Sequence, residues 1–378
     1  SMKFRFLEYL RCPSCLSRLK LSEAQFERCA QREASLLPPC QGICPFPEQT
    51  SSERNCDECS KFEVVGGELS CVNCDGVYHI EAGVPGLQQR SPEPEAAEVE
   101  VDRTASSFGF LWQQTRVSDV PPTQRHHFAK FEEKLSLLPL RGLVLDAGCG
   151  EGIDLADLGR RSDVEIIGVD VSDGGCFASA SRTLNFPNVH VVKADLSCLP
   201  FEMSTFDTTY SYGVLHHVPV PSQAASELAR VVRLDAEVAV YVYEDFGERS
   251  AGLRASLSCV NWFRRFTTRL SPVVLYRLCQ IMSPVVYLMC TVPFLIFKHI
   301  RPLQNLAYAI PFRHGLGPFS LIGDLYDRFS APVEYRYNRE TSAELLAGAG
   351  LEVRKVVYER GWMVLGQKST ANGGPDIP

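Results

Sequence analysis

The sequence has no surplus of positive charge. Its 378 residues carry 38 Lys and Arg against 45 Asp and Glu, for a net charge of −7 and a pI near 5.7. No overall basic field draws such a chain to a phosphate backbone, so nucleic acid is not an expected partner unless a local patch serves. A secretory leader is also missing from the opening "SMKFRFLEYLRCPSC", where Lys3, Arg5, Glu8 and Arg11 interrupt the apolar residues. Internal repeats are absent. Cysteine, by contrast, is plentiful, with fifteen residues. Disulfide frameworks suit short secreted chains, whereas paired cysteines at short spacings in a long chain point to reduced thiols holding metal, and hence to a cytoplasmic protein. A chain this long and 45% hydrophobic has room for one full-sized domain and a smaller one.

Composition divides the chain. Residues 2–89 hold nine of the cysteines and form a cysteine-rich module, and residues 90–103 are an acidic linker punctuated by proline. The main domain takes residues 104–245 and 331–368, with a helical lead-in over 104–140. Short β-branched runs alternate with helical ones, which predicts a parallel α/β sheet. Strands are expected at "LVLDAG", "EIIGVDV", "VHVVKADL", "FDTTYSYG" and "EVAVYVYE", then a final pair, "LEVRKVVYER" and "GWMVLGQK", joined tightly at Gly361. A hydrophobic helical insertion, 246–330, separates strands five and six, and 369–378 reads as a tail.

The strongest chemical signal is "VLDAGCGEG", residues 144–152, an apolar strand running into a glycine turn that opens a helix. Gly148, Gly150 and Gly152 let backbone approach a ligand closely, with Cys149 inside the turn. A dinucleotide fingerprint needs a small residue where Ile153 stands, so the pattern is GxGxG and not GxGxxG. Three acids sit near the carboxyl ends of predicted strands. Asp146 would repel a pyrophosphate and attract the ammonium group of a methionine moiety. Asp170 is placed to accept hydrogen bonds from two ribose hydroxyls, and Asp195 from an adenine amino group.

These features resemble the class I S-adenosylmethionine-dependent methyltransferases, in particular the group containing the ubiquinone and menaquinone C-methyltransferases. The resemblance covers about 100 residues and includes "FDTTYSYGVLHHV". It implies a seven-stranded Rossmann-like sheet with the last strand antiparallel. It also implies a cofactor site of Asp146 and Gly148 at the methionine end, Asp170 with Val171 at the ribose, and Asp195 with Leu196 at the adenine, Tyr212 being a further neighbour.

The N-terminal "CPSC" (Cys12, Cys15) and "CVNC" (Cys71, Cys74) form two knuckles of a tetrahedral structural zinc site. With "VYHIEAGVPGL" they resemble the zinc-ribbon-like module fused to or partnering several RNA and protein methyltransferases, which implies a protein partner as one use of the module. Between the knuckles, Cys40, Cys44, Cys56 and Cys59 are candidates for a second zinc.

From Leu278 to Phe297 run twenty uncharged residues, long enough to span a bilayer. The two last strands must nevertheless rejoin the sheet, and Pro284 and Pro293 are expected to break a simple helix. A lid over a greasy acceptor pocket is the preferred reading, with peripheral membrane contact through 260–300 suited by Arg264, Arg265 and Arg269 beside aromatics. Methyl transfer is an in-line displacement that needs alignment. A hydroxyl or acidic carbon acceptor also needs a base, for which His217 and His216 are the candidates. Glu244, Arg313, His314 and Tyr335 are candidates for the acceptor site. The expected substrate is small and hydrophobic or lipid-like; transfer to RNA and a non-catalytic docking protein are the alternatives.

Overall fold

A computed structural model describes residues 2–29, 32, 56–89, 96–114, 127–136, 140–249 and 251–369. The N-terminal module is a four-stranded antiparallel sheet, β1 (Leu19–Arg28), β2 (Phe62–Cys71), β3 (Val77–Glu81) and β4 (Val84–Pro85), with one turn of helix, α1 (Cys56–Cys59). Its register pairs Leu19 with Cys71. That pairing sets the turn before β1 beside the turn after β2, and these turns carry the two cysteine knuckles.

Two helices, α2 (Ala96–Gln114) and α3 (His127–Leu135), lead into the main sheet of β5 (Gly142–Ala147), β6 (Val164–Asp170), β7 (Val189–Lys193), β8 (Phe206–Tyr212), β9 (Val232–Tyr243), β10 (Glu352–Tyr358) and β11 (Gly361–Gln367). The order is β10-β11-β9-β8-β5-β6-β7, with β11 antiparallel to both neighbours and β5 to β9 parallel. Nearly every residue of β5, β6 and β7 is buried, as parallel strands covered on both faces require. The covering helices include α4 (Ile153–Leu158), α5 (Asp173–Arg182), α6 (Pro221–Val231) and α12 (Arg339–Ala347). The insertion contributes α7 (Ala251–Thr267), α8 (Pro272–Val286), α9 (Val292–Phe297), α10 (Gln304–Ala309) and α11 (Ile322–Ser330).

Three expectations change. The acidic stretch after residue 90 is not all linker, because α2 begins at Ala96, where "AAEVEVD" has enough alanine and glutamate to favour helix. The fifth strand starts at Val232 and not Glu237, with Asp235 in a left-handed conformation marking an irregularity within it. The prolines of the insertion do not interrupt it: Pro272–Phe297 is continuous, and Pro284 lies inside α8. A π-helical turn, Tyr287–Thr291, takes up the irregularity ahead of Pro293, whose nitrogen cannot donate to the preceding turn.

The module and the main domain share one core, in which Phe4, Phe6 and Leu10 pack with Phe201, Phe206 and Leu199. Each such burial contributes about 1.5–3 kcal/mol. Polar ties reinforce it at β6 and β7. Arg5 Nε meets Glu165 Oε1 at 2.6 Å, His190 Nε2 lies 3.0 Å from the same oxygen, and Leu87 N donates to Lys193 O at 2.8 Å. Gly86 bridges Lys193 in parallel, so the module caps an edge strand that would otherwise be open.

Candidate functional site

The glycine turn leaves β5 with Gly148 at φ 95° and Gly152 at φ 73°, left-handed conformations that disfavour any side chain. Space excludes one as well, since a Cβ on Gly148 would lie 2.3 Å from Val214 Cγ2 and one on Gly152 2.6 Å from Ser179 Oγ. Gly150 N donates to Asp170 Oδ2 at 2.9 Å, which ties the turn to the end of β6. Asp170 Oδ1 accepts from Ser172 N at 2.8 Å and Ser172 Oγ at 2.6 Å. Burial pushes the Asp170 carboxyl above its ordinary range despite these bonds.

Asp146, buried at the end of β5 opposite Tyr210 of β8, makes no ion pair among the described residues. Burial, followed by the neighbouring Asp154 and Asp170 charges, raises its pKa well above the usual carboxylate value. A carboxylate destabilised in this way is one that a ligand ammonium stabilises. Asp195 follows β7, with Oδ1 accepting from Ser197 N at 2.8 Å. A cleft of about 370 Å³ opens beside these strand ends, lined by Gln88, Gly109, Val171, Gly174 and Lys193 among others. Asp146, Gly148, Gly150, Asp170 and Val171 thus gather where open α/β sheets bind ligands, at the carboxyl ends of the strands.

Other expected residues point elsewhere. The Cys149 thiol packs against Gly168 and lies 3.7 Å from Ser179 Oγ, and burial raises its pKa well above the ordinary value. Leu196 belongs to the core, while Tyr212 stacks between His127 and Tyr241 at 4.2 and 4.5 Å. Glu244 bonds Arg249 Nε at 2.5 Å and accepts from Tyr358 Oη at 2.8 Å, a structural tie between the end of β9 and β10. Arg313 stacks over Phe294 and Tyr308, and His314 pairs with Asp324 at 2.5 Å, all within the insertion. Tyr335 is exposed, its hydroxyl donating to Pro219 O at 3.0 Å.

The "LHH" segment forms a short 3-10 turn after β8, and both histidines are buried. His216 has neither ring nitrogen hydrogen-bonded among the described residues, and its ring lies 3.9 Å from that of Tyr243. Burial holds its pKa well below the ordinary value. His217 Nδ1 is 2.8 Å from Val333 O. A carbonyl only accepts, so Nδ1 carries the proton and Nε2, buried and unpartnered, presents its lone pair. Burial again lowers the pKa, with Asp327 opposing that shift, so the ring is neutral near pH 7.

Sequence reasoning missed the cover of the site. Phe108 and Trp112 of α2 are four apart on one helix face; Phe108 packs on His217 at 5.1 Å, and a Cβ on Gly150 would touch Trp112 at 3.1 Å. The spacing in "SFGFLW" was a usable signal. Asp327 of α11, accepting from Tyr243 Oη at 3.1 Å, had none.

In the module, the ligand atoms of Cys12, Cys15, Cys71 and Cys74 all lie within 4.8 Å of one another. Three separations are 3.4, 3.6 and 3.7 Å, against about 3.8 Å for tetrahedral thiolates 2.3 Å from zinc. These residues therefore fit a closed four-thiolate zinc site. Of the proposed second set, Cys40 and Cys44 lie outside the described residues, so only Cys56 and Cys59 are placed, on α1.

Residues 145–240 match a family model described as a methyltransferase domain. An uncharacterized chloroplastic methyltransferase of Arabidopsis thaliana is 30% identical over 185 residues, 44% of this chain and 51% of that protein. A tRNA U34 carboxymethyltransferase of Pseudoalteromonas translucida is 35% identical over 103 residues, 26% of this chain and 32% of its own length. A ubiquinone biosynthesis O-methyltransferase of Paracidovorax citrulli is 33% identical over 101 residues, 26% of this chain and 42% of its own length. The chain thus spans about half or less of these relatives. Among solved structures, the Haloferax volcanii complex of the Trm112 methyltransferase activator with a putative methyltransferase aligns at TM-score 0.43 and 13% identity, over 70% of this chain and 97% of that one. With its strand order, glycine turn and strand-end carboxylates, the segment 145–240 is a class I S-adenosylmethionine-dependent methyltransferase domain, carried in a chain that adds a four-cysteine module and a helical insertion.

Proposed function

We propose that the whole chain transfers a methyl group from S-adenosylmethionine to a small hydrophobic acceptor enclosed by α2, the "LHH" turn and the helical insertion. The observation that carries the acceptor reading is His217. A buried, neutral imidazole with a free Nε2 amid Phe108, Tyr243 and the insertion suits an apolar molecule with one ionisable position. The cofactor would be held by Asp146, Gly148, Asp170 and Asp195, and when bound it supplies an electrophilic methyl on a sulfonium. His217 Nε2 takes the acceptor's proton as the new bond to the methyl forms, while Val333 O fixes the ring. The aromatic cover excludes water, which favours a reaction that disperses charge. Cys12, Cys15, Cys71 and Cys74 would hold a structural zinc, with no open coordination position for chemistry.

A second reading, transfer to RNA, draws its support from the tRNA-modifying relative. One experiment separates the two. The chain is incubated with methyl-labelled S-adenosylmethionine, a panel of phenolic and quinol lipids, and bulk RNA. The proposal expects label in the organic extract; label confined to RNA, or no transfer by folded protein that binds the cofactor, overturns it.

A further inference from the structure

The insertion carries its charge and its grease where an ordinary helical cover would not. Between residues 251 and 323 there are eight Lys and Arg and no Asp or Glu, in a chain whose net charge is −7. Helix Pro272–Phe297 has 26 residues, a mean hydropathy of 1.8 in its most apolar window, and 11% of that window buried. Its inward stripe is Leu275, Cys279 and Ser283, spaced by four, with Leu275 and Cys279 in one core with Leu321, Leu325 and Tyr326. The opposite face, which normally bears polar residues, shows Val274, Leu278, Ile281, Val285, Leu288 and Met289 to solvent, Ile281 at 68% and Met289 at 71% exposure.

On α7 the exposed residues Trp262, Arg265 and Phe266 recur at i, i+3 and i+4, which places aromatic and cationic side chains on one stripe, and the exposed Arg269 follows in the turn that ends the helix. Arg265, Arg269 and Arg301 make no ion pair among the described residues and are exposed. At about 39 Å the α8–α9 helix is long enough to cross a bilayer. It does not do so, because β9 before the insertion pairs with β11 after it in one sheet, which puts both ends of the insertion on the same side.

We propose that the insertion is a docking surface for an anionic lipid membrane, with the α8–α9 helix lying in the interface and the α7 stripe engaging headgroups. Apolar area supplies the depth of burial, and the acid-free, cation-rich segment supplies the preference for negative lipid. A membrane is favoured over RNA because the exposed face is aliphatic, and over a second copy of the chain because two such surfaces would bring like charges together. This deepens the hydrophobic-acceptor reading, on which delivery of the acceptor from the bilayer rests, although docking itself does not.

The test is flotation of the full zinc-loaded chain with phosphatidylcholine vesicles, with and without phosphatidylglycerol, alongside light scattering and calorimetry of S-adenosylmethionine binding. The wild type is expected to float with the anionic vesicles and far less with neutral ones. Arg265→Glu with Arg269→Glu should weaken this by at least roughly 25-fold, about five-fold for each cation removed. Ile281→Asp with Leu288→Asp should abolish it, with cofactor affinity unchanged in both variants. Wild type that binds cofactor but stays with the unbound fraction overturns the proposal. So does a stable dimer lost in Ile281→Asp without vesicle binding, or competition in which RNA binds through the same arginines and vesicles do not. Cofactor binding without flotation would leave the methyltransferase reading standing, so the two failures are distinct.

Discussion

Replacing Glu165 by Gln tests how the cysteine module is clasped to the sheet. Glu165, on β6, accepts from Arg5 Nη2 at 2.9 Å and from Tyr9 Oη at 2.8 Å on one oxygen, and faces Arg5 Nε and His190 on the other. Burial opposes its charge, but the His190 and Arg5 bonds outweigh it and hold the pKa down to about 2. Against an ordinary value of 4.5, that depression corresponds to about 3 kcal/mol of stability, in line with the 3–5 kcal/mol typical of breaking one side of a buried pair. Since the folded pKa is depressed, the contribution is complete above the unfolded value and is lost as pH falls through about 2. His190 acts in the same direction: burial lowers its pKa to about 4, so the fold keeps it neutral and loses stability as pH drops from 6.5 toward 4. Glu165→Gln should therefore lower Tm by roughly 4 °C at pH 7 in scanning calorimetry, the shift expected when about 3 kcal/mol is spread over the unfolding entropy of a unit this long. The gap from wild type should close as pH approaches 2, and limited proteolysis should release the N-terminal module first. A variant melting within about 1 °C of wild type at pH 7 would refute the reasoning.

Three further outcomes follow from the site. His217→Gln should lower kcat by roughly 10²–10⁴-fold and flatten the acid limb of the pH–rate profile, while calorimetry gives an unchanged cofactor Kd; full activity would remove His217 from the chemistry. Cys71→Ser should lose zinc by metal analysis and weaken cofactor affinity. The module's knuckle and exit strand brace the strand ends through Arg11 N to Pro200 O at 2.9 Å, Leu87 N to Lys193 O at 2.8 Å and Gln88 Nε2 to Val171 O at 3.3 Å. At about 1 kcal/mol per bond the loss reaches at most roughly 100-fold, and an unchanged Kd in zinc-free, folded protein would contradict the coupling. Gly148→Ala combines a left-handed φ with a clash on Val214; it should cost roughly 2–4 kcal/mol in denaturant unfolding and abolish cofactor binding, and a Cm near wild type would refute it.

The sheet was legible because parallel strands buried on both faces are written as short apolar runs, and the glycine turn because its backbone demands leave few residue choices. The positions of Asp146 and Asp170 at the carboxyl ends of β5 and β6 were readable from those same runs. The cysteine knuckles were readable because four thiols at CxxC spacing need only a two-stranded register to meet. Less was visible where function depends on packing between distant segments. Glu244 looked like a strand-end acid facing a ligand, but Arg249 and Tyr358, five and 114 residues away, absorb it. Cys149 lies in the ligand-facing turn by sequence, yet in the folded turn its thiol packs against Gly168. The insertion's prolines suggested a break, yet Pro284 sits inside α8 and a π turn, which pattern alone does not reveal, precedes Pro293.

The most direct measurement is calorimetric titration of the zinc-loaded chain with S-adenosylmethionine, wild type beside Asp170→Asn, with thermal melting of both. The account predicts one-to-one binding by wild type and a Kd raised roughly 10–100-fold in the variant, the loss expected when hydrogen bonds to a charged carboxylate are weakened. Folded wild type that takes up no cofactor, or a correctly folded variant that binds as tightly, would contradict it.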